Sequence, residues 1–234
     1  MGATTPIIVI TGTSRGIGRF LAEHYAARGW RVIGCSRGES VLAVDGYEHH
    51  RVDVRDEDAV CKLFRQVRRD HGGLDALVNN AALATMNHSL LTPGSTVRDL
   101  LETNVLGTFV CCREAAKLMR TRPGGRIVNF GTVATPLTLA GEAIYAASKA
   151  AVESLTATLA REFAEFGITV NAVAPSPIET AMTHSVPAEK IRKLLERQAI
   201  RAYATFADVA NVVDFFLRPE SRFVTGQILY LGGV

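Results

Sequence analysis

Ile7-Ile8-Val9-Ile10-Thr11 is a run of five Cβ-branched residues that leads directly into Gly12-Thr13-Ser14-Arg15-Gly16-Ile17-Gly18. Branching at Cβ stiffens χ1 and favours an extended backbone, so the run predicts a strand, and the glycines after it predict a tight turn. A helix-period segment follows from about Gly16 to Arg28 and is stopped by Gly29. The alternation then recurs along the whole chain. Strands are expected at Arg31 to Cys35, Glu48 to Val52, Asp75 to Asn79, Arg126 to Phe130, Ile168 to Val173 and Ile228 to Leu231. Helices are expected between them, one carrying Val60, Leu63, Phe64 and Val67 at offsets 0, 3, 4 and 7. Others run from about Thr96 to Arg120 as one long helix, from Glu142 to Phe166 and from Ala207 to Leu217. With right-handed crossovers, this predicts an α/β fold, a doubly wound sheet of about seven parallel strands with helices on both faces. Neither linker nor repeat interrupts it, so residues 1–234 read as one domain, with small-molecule sites at the carboxyl ends of the strands.

Composition narrows the function class. Among 234 residues, 26 basic and 23 acidic side chains are spread without a long basic run, which points away from nucleic acid. Four cysteines, Cys35, Cys61, Cys111 and Cys112, form no CxxC pair, so neither a zinc site nor a disulfide framework is expected. The absence of a basic, apolar leader and of any apolar run approaching about 18 residues predicts a cytoplasmic protein without a membrane partner.

The glycine-rich turn sits where strand passes to helix, the position at which backbone amides and a helix dipole receive a pyrophosphate. Gly12, Ser14, Arg15, Gly16, Ile17 and Gly18 are therefore candidate dinucleotide ligands in a Rossmann-type fold. The second strand ends in Ser36-Arg37, without the acid that would accept hydrogen bonds from an adenosine ribose. A hydroxyl and two guanidinium groups, counting Arg15, suit a 2'-phosphate instead, so the expected cofactor is NADP(H).

Tyr145 and Lys149 stand four residues apart on one face of an expected helix, where a cation would favour the phenolate. Together with the glycine-rich turn, Asn79-Asn80-Ala81-Ala82, Asn104 and Asn171-Ala172-Val173-Ala174-Pro175, they make the chain resemble the short-chain dehydrogenase/reductase family over nearly its full length. The resemblance implies that Tyr145 donates a proton to a carbonyl, that Lys149 binds the nicotinamide ribose and that Asn104 holds a relay water. It places Thr132, 13 positions before the tyrosine, where a serine is usual. The threonine hydroxyl retains the polarising group, and its methyl narrows the site. Asp53 and Val54 resemble the pair that contacts adenine. Asn80, Ala81 and Ala82 resemble the turn beneath the cofactor, with Ala82 in place of glycine. Pro175, Ile178 and Thr180 resemble the segment that holds the carboxamide, with Ser176 replacing another glycine.

The expected reaction is hydride transfer between a nicotinamide and a carbonyl or secondary alcohol, with reduction favoured by high cellular NADPH. Loops at Leu83 to His88, Val133 to Thr138 and Ser176 to Pro187 are mostly apolar or hydroxylated, which suits a neutral or weakly polar small molecule. His88 is a candidate substrate contact. A narrower alternative is a 3-oxoacyl-carrier-protein reductase, in whose favour Arg122 and Arg126 would offer charge to an acidic carrier. A cofactor-binding scaffold or sensor is the alternative from a different class. The resemblance also implies a homotetramer or homodimer.

Overall fold

The Cβ-branched runs form the strands of one parallel sheet in the computed structural model, which describes residues 5–40, 42–122, 124–179 and 188–234. These are β1 (Ile7–Thr11), β2 (Arg31–Ser36), β3 (Tyr47–Arg51), β4 (Ala76–Asn79), β5 (Arg126–Phe130), β6 (Thr169–Ala174) and β7 (Ile228–Tyr230), in the order β3-β2-β1-β4-β5-β6-β7. Between them lie α1 (Gly16–Ala26), α2 (Glu57–His71), α3 (Gly94–Leu101), α4 (Gly107–Met119), α5 (Ala134–Leu137), α6 (Ala143–Glu162), α7 (Ala188–Glu196) and α8 (Phe206–Leu217). The order reverses between β1 and β4, so the loops after these strands open a crevice at the carboxyl edge of the sheet.

Alternation along β1 shows how the layers form. Ile7 and Val9 join Val60, Leu63, Phe64 and Val67 of α2, together with Val110, Cys111 and Ala115 of α4 and Leu159 of α6. Ile8 and Ile10 point the other way, to Leu21 and Tyr25 of α1 and to Val209, Val213 and Phe216 of α8. All five β1 residues are buried, as a strand covered on both faces requires.

Helix ends follow their sequence signals. Asp56 caps α2 by accepting from the Ala59 amide at 2.9 Å, and Gly72 closes that helix in the left-handed conformation at φ 75°. Thr205 and Asp208 form a reciprocal capping box on α8. The expected long helix from Thr96 to Arg120 is divided: a π-helical turn at Glu102–Leu106 separates α3 from α4, and the backbone stays helical throughout. An extra residue in the turn widens the helix locally, a distortion that apolar periodicity does not signal. The short helix α5 and the amphipathic α7, which buries Ile191 and Leu194, also fall in segments read from sequence as substrate loops or left without an element. No helix among the described residues is long and apolar enough to cross a membrane.

Replacing Phe64 with alanine removes a ring at 1% exposure from the α2 side of the core, and should cost about 3–5 kcal/mol in urea denaturation. Removing the Asp56 cap should cost only about 1 kcal/mol. Equal losses in the two variants would contradict the assignment of this helix's stability to packing.

Candidate active site

The glycine-rich turn is held from both sides. The Gly12 amide donates to Cys35 O at 2.7 Å, and the Asn80 side-chain amide donates to Thr11 O at 2.9 Å and to Gly12 O at 3.1 Å. The Ala81 amide donates to the Thr11 hydroxyl at 2.9 Å. The loop after β4 is thereby pinned to the end of β1. Gly18 is needed for close approach, because a Cβ there would overlap Gly12 O and the Asn80 side chain.

The N-terminus of α1 differs from those of α2 and α8. It has no side-chain cap and no acidic residue in its first turn, and nothing lies within 4 Å of a Cβ built on Gly16. Ser14 and Arg15 are exposed beside it. The uncapped amides and open approach fit a diphosphate. Ser36 and Arg37 lie at the end of β2, which pairs with β1 so that Thr11 is opposite Cys35. Asp53, half-buried, is gripped by Arg55, whose Nε and terminal nitrogen donate to its Oδ2 at 3.0 and 2.7 Å. This contact holds the Asp53 carboxyl below the usual carboxylate range. Val54 packs against Gly107 at the start of α4.

Asn104 lies in the π turn and is fully buried. Its Oδ1 accepts from the Leu83 amide at 2.8 Å, and its Nδ2 donates to Leu83 O at 2.9 Å and to Ser148 Oγ at 2.9 Å. The Ser148 hydroxyl donates in turn to Tyr145 O at 2.7 Å. Ser148 was not among the residues singled out from sequence, although its place inside the Tyr-x-x-x-Lys span puts it beside them. It joins the loop after β4 to the helix that carries Tyr145 and Lys149.

Burial, with a smaller contribution from the nearby Glu142 carboxylate, pushes the Tyr145 phenol up to about 12, against a hydrogen bond from Thr132 that lowers it. Lys149 Nζ donates to Phe130 O at 2.8 Å, and burial pulls its ammonium down to about 8. The Lys149 cation is thus tied to a main-chain carbonyl, and desolvation governs the phenol. Glu153, one turn beyond Lys149, partly offsets the effect of burial on that ammonium. Its Oε2 accepts from the Tyr230 hydroxyl of β7 at 2.9 Å. Neither Glu153 nor Glu142 was expected from sequence; the i,i+4 spacing from Lys149 to Glu153 was the available signal.

On the far side, Pro175 and Ile178 follow β6, and Ser176 is buried with its hydroxyl donating to Gln198 Oε1 at 2.9 Å. Ala82 lies half-buried between Ala81 and the Asn104-bound Leu83. Thr180, like the rest of residues 180–187, lies outside the described residues. His88 is exposed and its Nδ1 accepts from the Leu90 amide at 3.3 Å, so its ring caps its own turn. Arg126 departs from expectation too. It is buried and donates to Gly124 O at 2.8 Å and to Gly125 O at 3.1 Å, which leaves Arg122 as the exposed cation of that pair.

The family model described as Enoyl-(Acyl carrier protein) reductase matches residues 12–233. The 3-oxoacyl-(acyl-carrier-protein) reductase of Escherichia coli strain K12 is 34% identical over 233 residues, covering 97% of this chain and 96% of its own. The enzyme of the same name from Staphylococcus aureus strain N315 is 33% identical over 239 residues, 98% of this chain and 97% of its own. Among solved structures, ElxO with NADP bound superposes with a TM-score of 0.89 at 27% identity, covering 97% of each chain. Ligand-free aldohexose dehydrogenase of Thermoplasma acidophilum gives 0.89 at 26% identity, covering 98% of this chain and 93% of that one. These similarities run through the glycine-rich turn, the π turn and the Tyr145 helix to the last strand, and the chain belongs to the short-chain dehydrogenase/reductase family of oxidoreductases.

Proposed function

We propose that the chain is an NADP(H)-dependent oxidoreductase that reduces the carbonyl of a neutral or weakly polar small molecule, or oxidises the corresponding alcohol. The observation that carries this reading is a half-buried phenol, Tyr145, with a hydroxyl from Thr132 against it and an ammonium from Lys149 one helical turn away. NADP in the ElxO structure supports the choice of cofactor, as do Ser36 and Arg37 where an acid is absent.

Gly12 to Gly18 would hold the pyrophosphate, with Ser36, Arg37 and Arg15 on the 2'-phosphate and Asp53 and Val54 at the adenine. Asn80 to Ala82 would lie beneath the cofactor, with Tyr145 and Lys149 at the nicotinamide ribose and Pro175, Ile178 and Thr180 at the carboxamide. The cofactor supplies the hydride. A phenol held at about 12 stays protonated at neutral pH, which suits a proton donor to a substrate oxygen. The Thr132 hydroxyl supplies a second donor to that oxygen. Lys149 provides positive charge close to the tyrosinate left behind. The Asn104 side chain makes three hydrogen bonds within the protein, and a relay water there would take the remaining lone pair of its Oδ1.

The narrower reading, reduction of 3-oxoacyl groups on a carrier protein, is supported by the names of the relatives at 33–34% identity. Arg122 remains as a cation to meet an acidic carrier, without Arg126. Exposed Leu101, Leu106 and Phe109, on α3, the π turn and α4, support a homo-oligomer formed on that surface.

Tyr145→Phe should lower turnover by roughly 10² to 10⁴ in an NADPH-consumption assay over a panel of ketones; undiminished turnover would end the proposed mechanism. Arg37→Ala should weaken NADP(H) in calorimetric titration and spare NAD(H), whereas a wild-type protein that favours NAD(H) would overturn the cofactor assignment. The pH dependence has a definite sign. The Lys149 charge is present below about 8 and is lost as pH rises through that value, so kcat/KM for reduction should fall there. Glu153→Gln removes the carboxylate that sustains the charge and should move the fall to lower pH; an unmoved profile would exclude this role for Glu153.

A further inference from the structure

Strand β3 carries a series of linked side chains that the proposed reaction does not use. Tyr47, His49 and Arg51 alternate along it and share one face. Thr13 Oγ1 lies 2.8 Å from the Tyr47 hydroxyl, which lies 2.8 Å from His49 Nδ1, and His49 Nε2 lies 2.9 Å from Gly38 O. A carbonyl can only accept, so Nε2 carries the proton and donates to Gly38. In the neutral ring Nδ1 then accepts from the Tyr47 hydroxyl, and the Tyr47 oxygen accepts from Thr13. Each hydrogen bond in the series has one direction and a partner at good distance.

The path is permitted by Gly34 in β2, which is opposite His49 in register. A Cβ on Gly34 would overlap the Tyr47 hydroxyl and stand 2.6 Å from Thr13 Oγ1, so the two hydroxyls meet in space that any other residue would fill. One end of the series is in the glycine-rich turn, where Thr13 is fully buried and its amide donates to Cys35 O at 3.2 Å. The other end is the loop 36–38, which begins at the last residue of β2. Arg51 gives this loop a second tether, its Nε donating to Arg37 O at 3.0 Å.

We propose that the Thr13–Tyr47–His49 series is a brace that sets the 36–38 loop against the glycine-rich turn and thereby determines selectivity for a 2'-phosphorylated adenosine. His49 and Tyr47 are its positioning residues. The inference rests on the NADP(H) reading of the cofactor site. The Ser36 hydroxyl now donates to Gly38 O at 2.9 Å, the same carbonyl that His49 holds. When that hydroxyl turns to a phosphate oxygen, the imidazole remains as donor to Gly38, and the loop keeps its place while Ser36 and Arg37 change partners. Without His49, binding the phosphate would leave Gly38 O without a donor and the loop held by Arg51 alone. A 5'-phosphate is received at the glycine turn and makes no such demand.

The test is calorimetric titration of 2',5'-ADP and 5'-AMP into the full-length wild-type protein, Tyr47→Phe and His49→Ala. Tyr47→Phe retains the ring and cuts the series at one hydroxyl, so it serves as the conservative variant, and thermal melts confirm the fold of each. The expected result is a wild-type preference for 2',5'-ADP, weakened by roughly 5- to 20-fold in both variants, or about 1–1.8 kcal/mol at 1.4 kcal/mol per factor of ten. Affinity for 5'-AMP should change less than about twofold. A general structural role would weaken both ligands alike, and that outcome overturns the proposal. A full 2',5'-ADP preference retained in both variants overturns it as well and leaves the NADP(H) reading standing. Equal wild-type affinity for the two ligands removes the NADP(H) reading itself, and the brace's selective role with it.

Discussion

The three hydrogen bonds of the Asn104 side chain hold the candidate site together. The amide itself is fully buried, and its bonds join segments distant in sequence: the π turn, the loop after β4 at Leu83, and, through Ser148, the helix of Tyr145 and Lys149. Losing this amide would leave Leu83 N and O and the Ser148 hydroxyl short of partners together, at about 1–3 kcal/mol for each buried group left unsatisfied. The phenol and the ammonium owe their relation to a rigid helix that packs on the sheet through Leu159, and this junction ties that helix to the loop after β4. The Asn80 contacts with Thr11 O and Gly12 O do the same for the glycine-rich turn. Two asparagines near the point where strand order reverses thus fix the two halves of the crevice.

Electrostatics in the site is governed by exclusion of water. Burial raises the phenol and lowers the ammonium, opposite effects that both oppose charge. The groups that resist are modest and local: a hydroxyl from Thr132 at Tyr145, and at Lys149 a carboxylate that Tyr230 orients from the last strand. The last strand therefore reaches the chemistry through one phenolic hydrogen bond, a part beyond closing the sheet.

Much of the fold was legible because periodicity is written in the residues that bury. The five Cβ-branched residues of β1 and the 0, 3, 4, 7 stripe of α2 each state their structure locally, and the structure agrees with them to within a residue or two. The parts that were not legible depend on contacts distant in sequence. The π turn leaves the helical pattern of residues 96–120 unbroken while altering its hydrogen bonds. Arg126 reads as a surface cation from its charge, yet the turn at Gly124 and Gly125 supplies carbonyls that allow it to be buried. At the site, the Tyr145 and Lys149 spacing and the glycine-rich turn were readable. The parts played by Ser148 and Glu153 were not, because a hydroxyl and a carboxylate on a helix acquire meaning only from the groups that pack against them.

The π turn also separates two demands that an ordinary helix would couple. Every residue added to an α-helix rotates the downstream turns by about 100°, which would carry Val110, Cys111 and Ala115 of α4 away from the sheet. A widened turn absorbs the additional residue within Glu102–Leu106, so the helix beyond keeps its phase while Asn104 sits where a regular helix would not put it. Shortening this segment by one residue would return a more regular helix, still in register with its core, at the expense of the junction. The fold and the site are specified independently here, and a descendant of this chain has a route to an intact scaffold that has shed its chemistry.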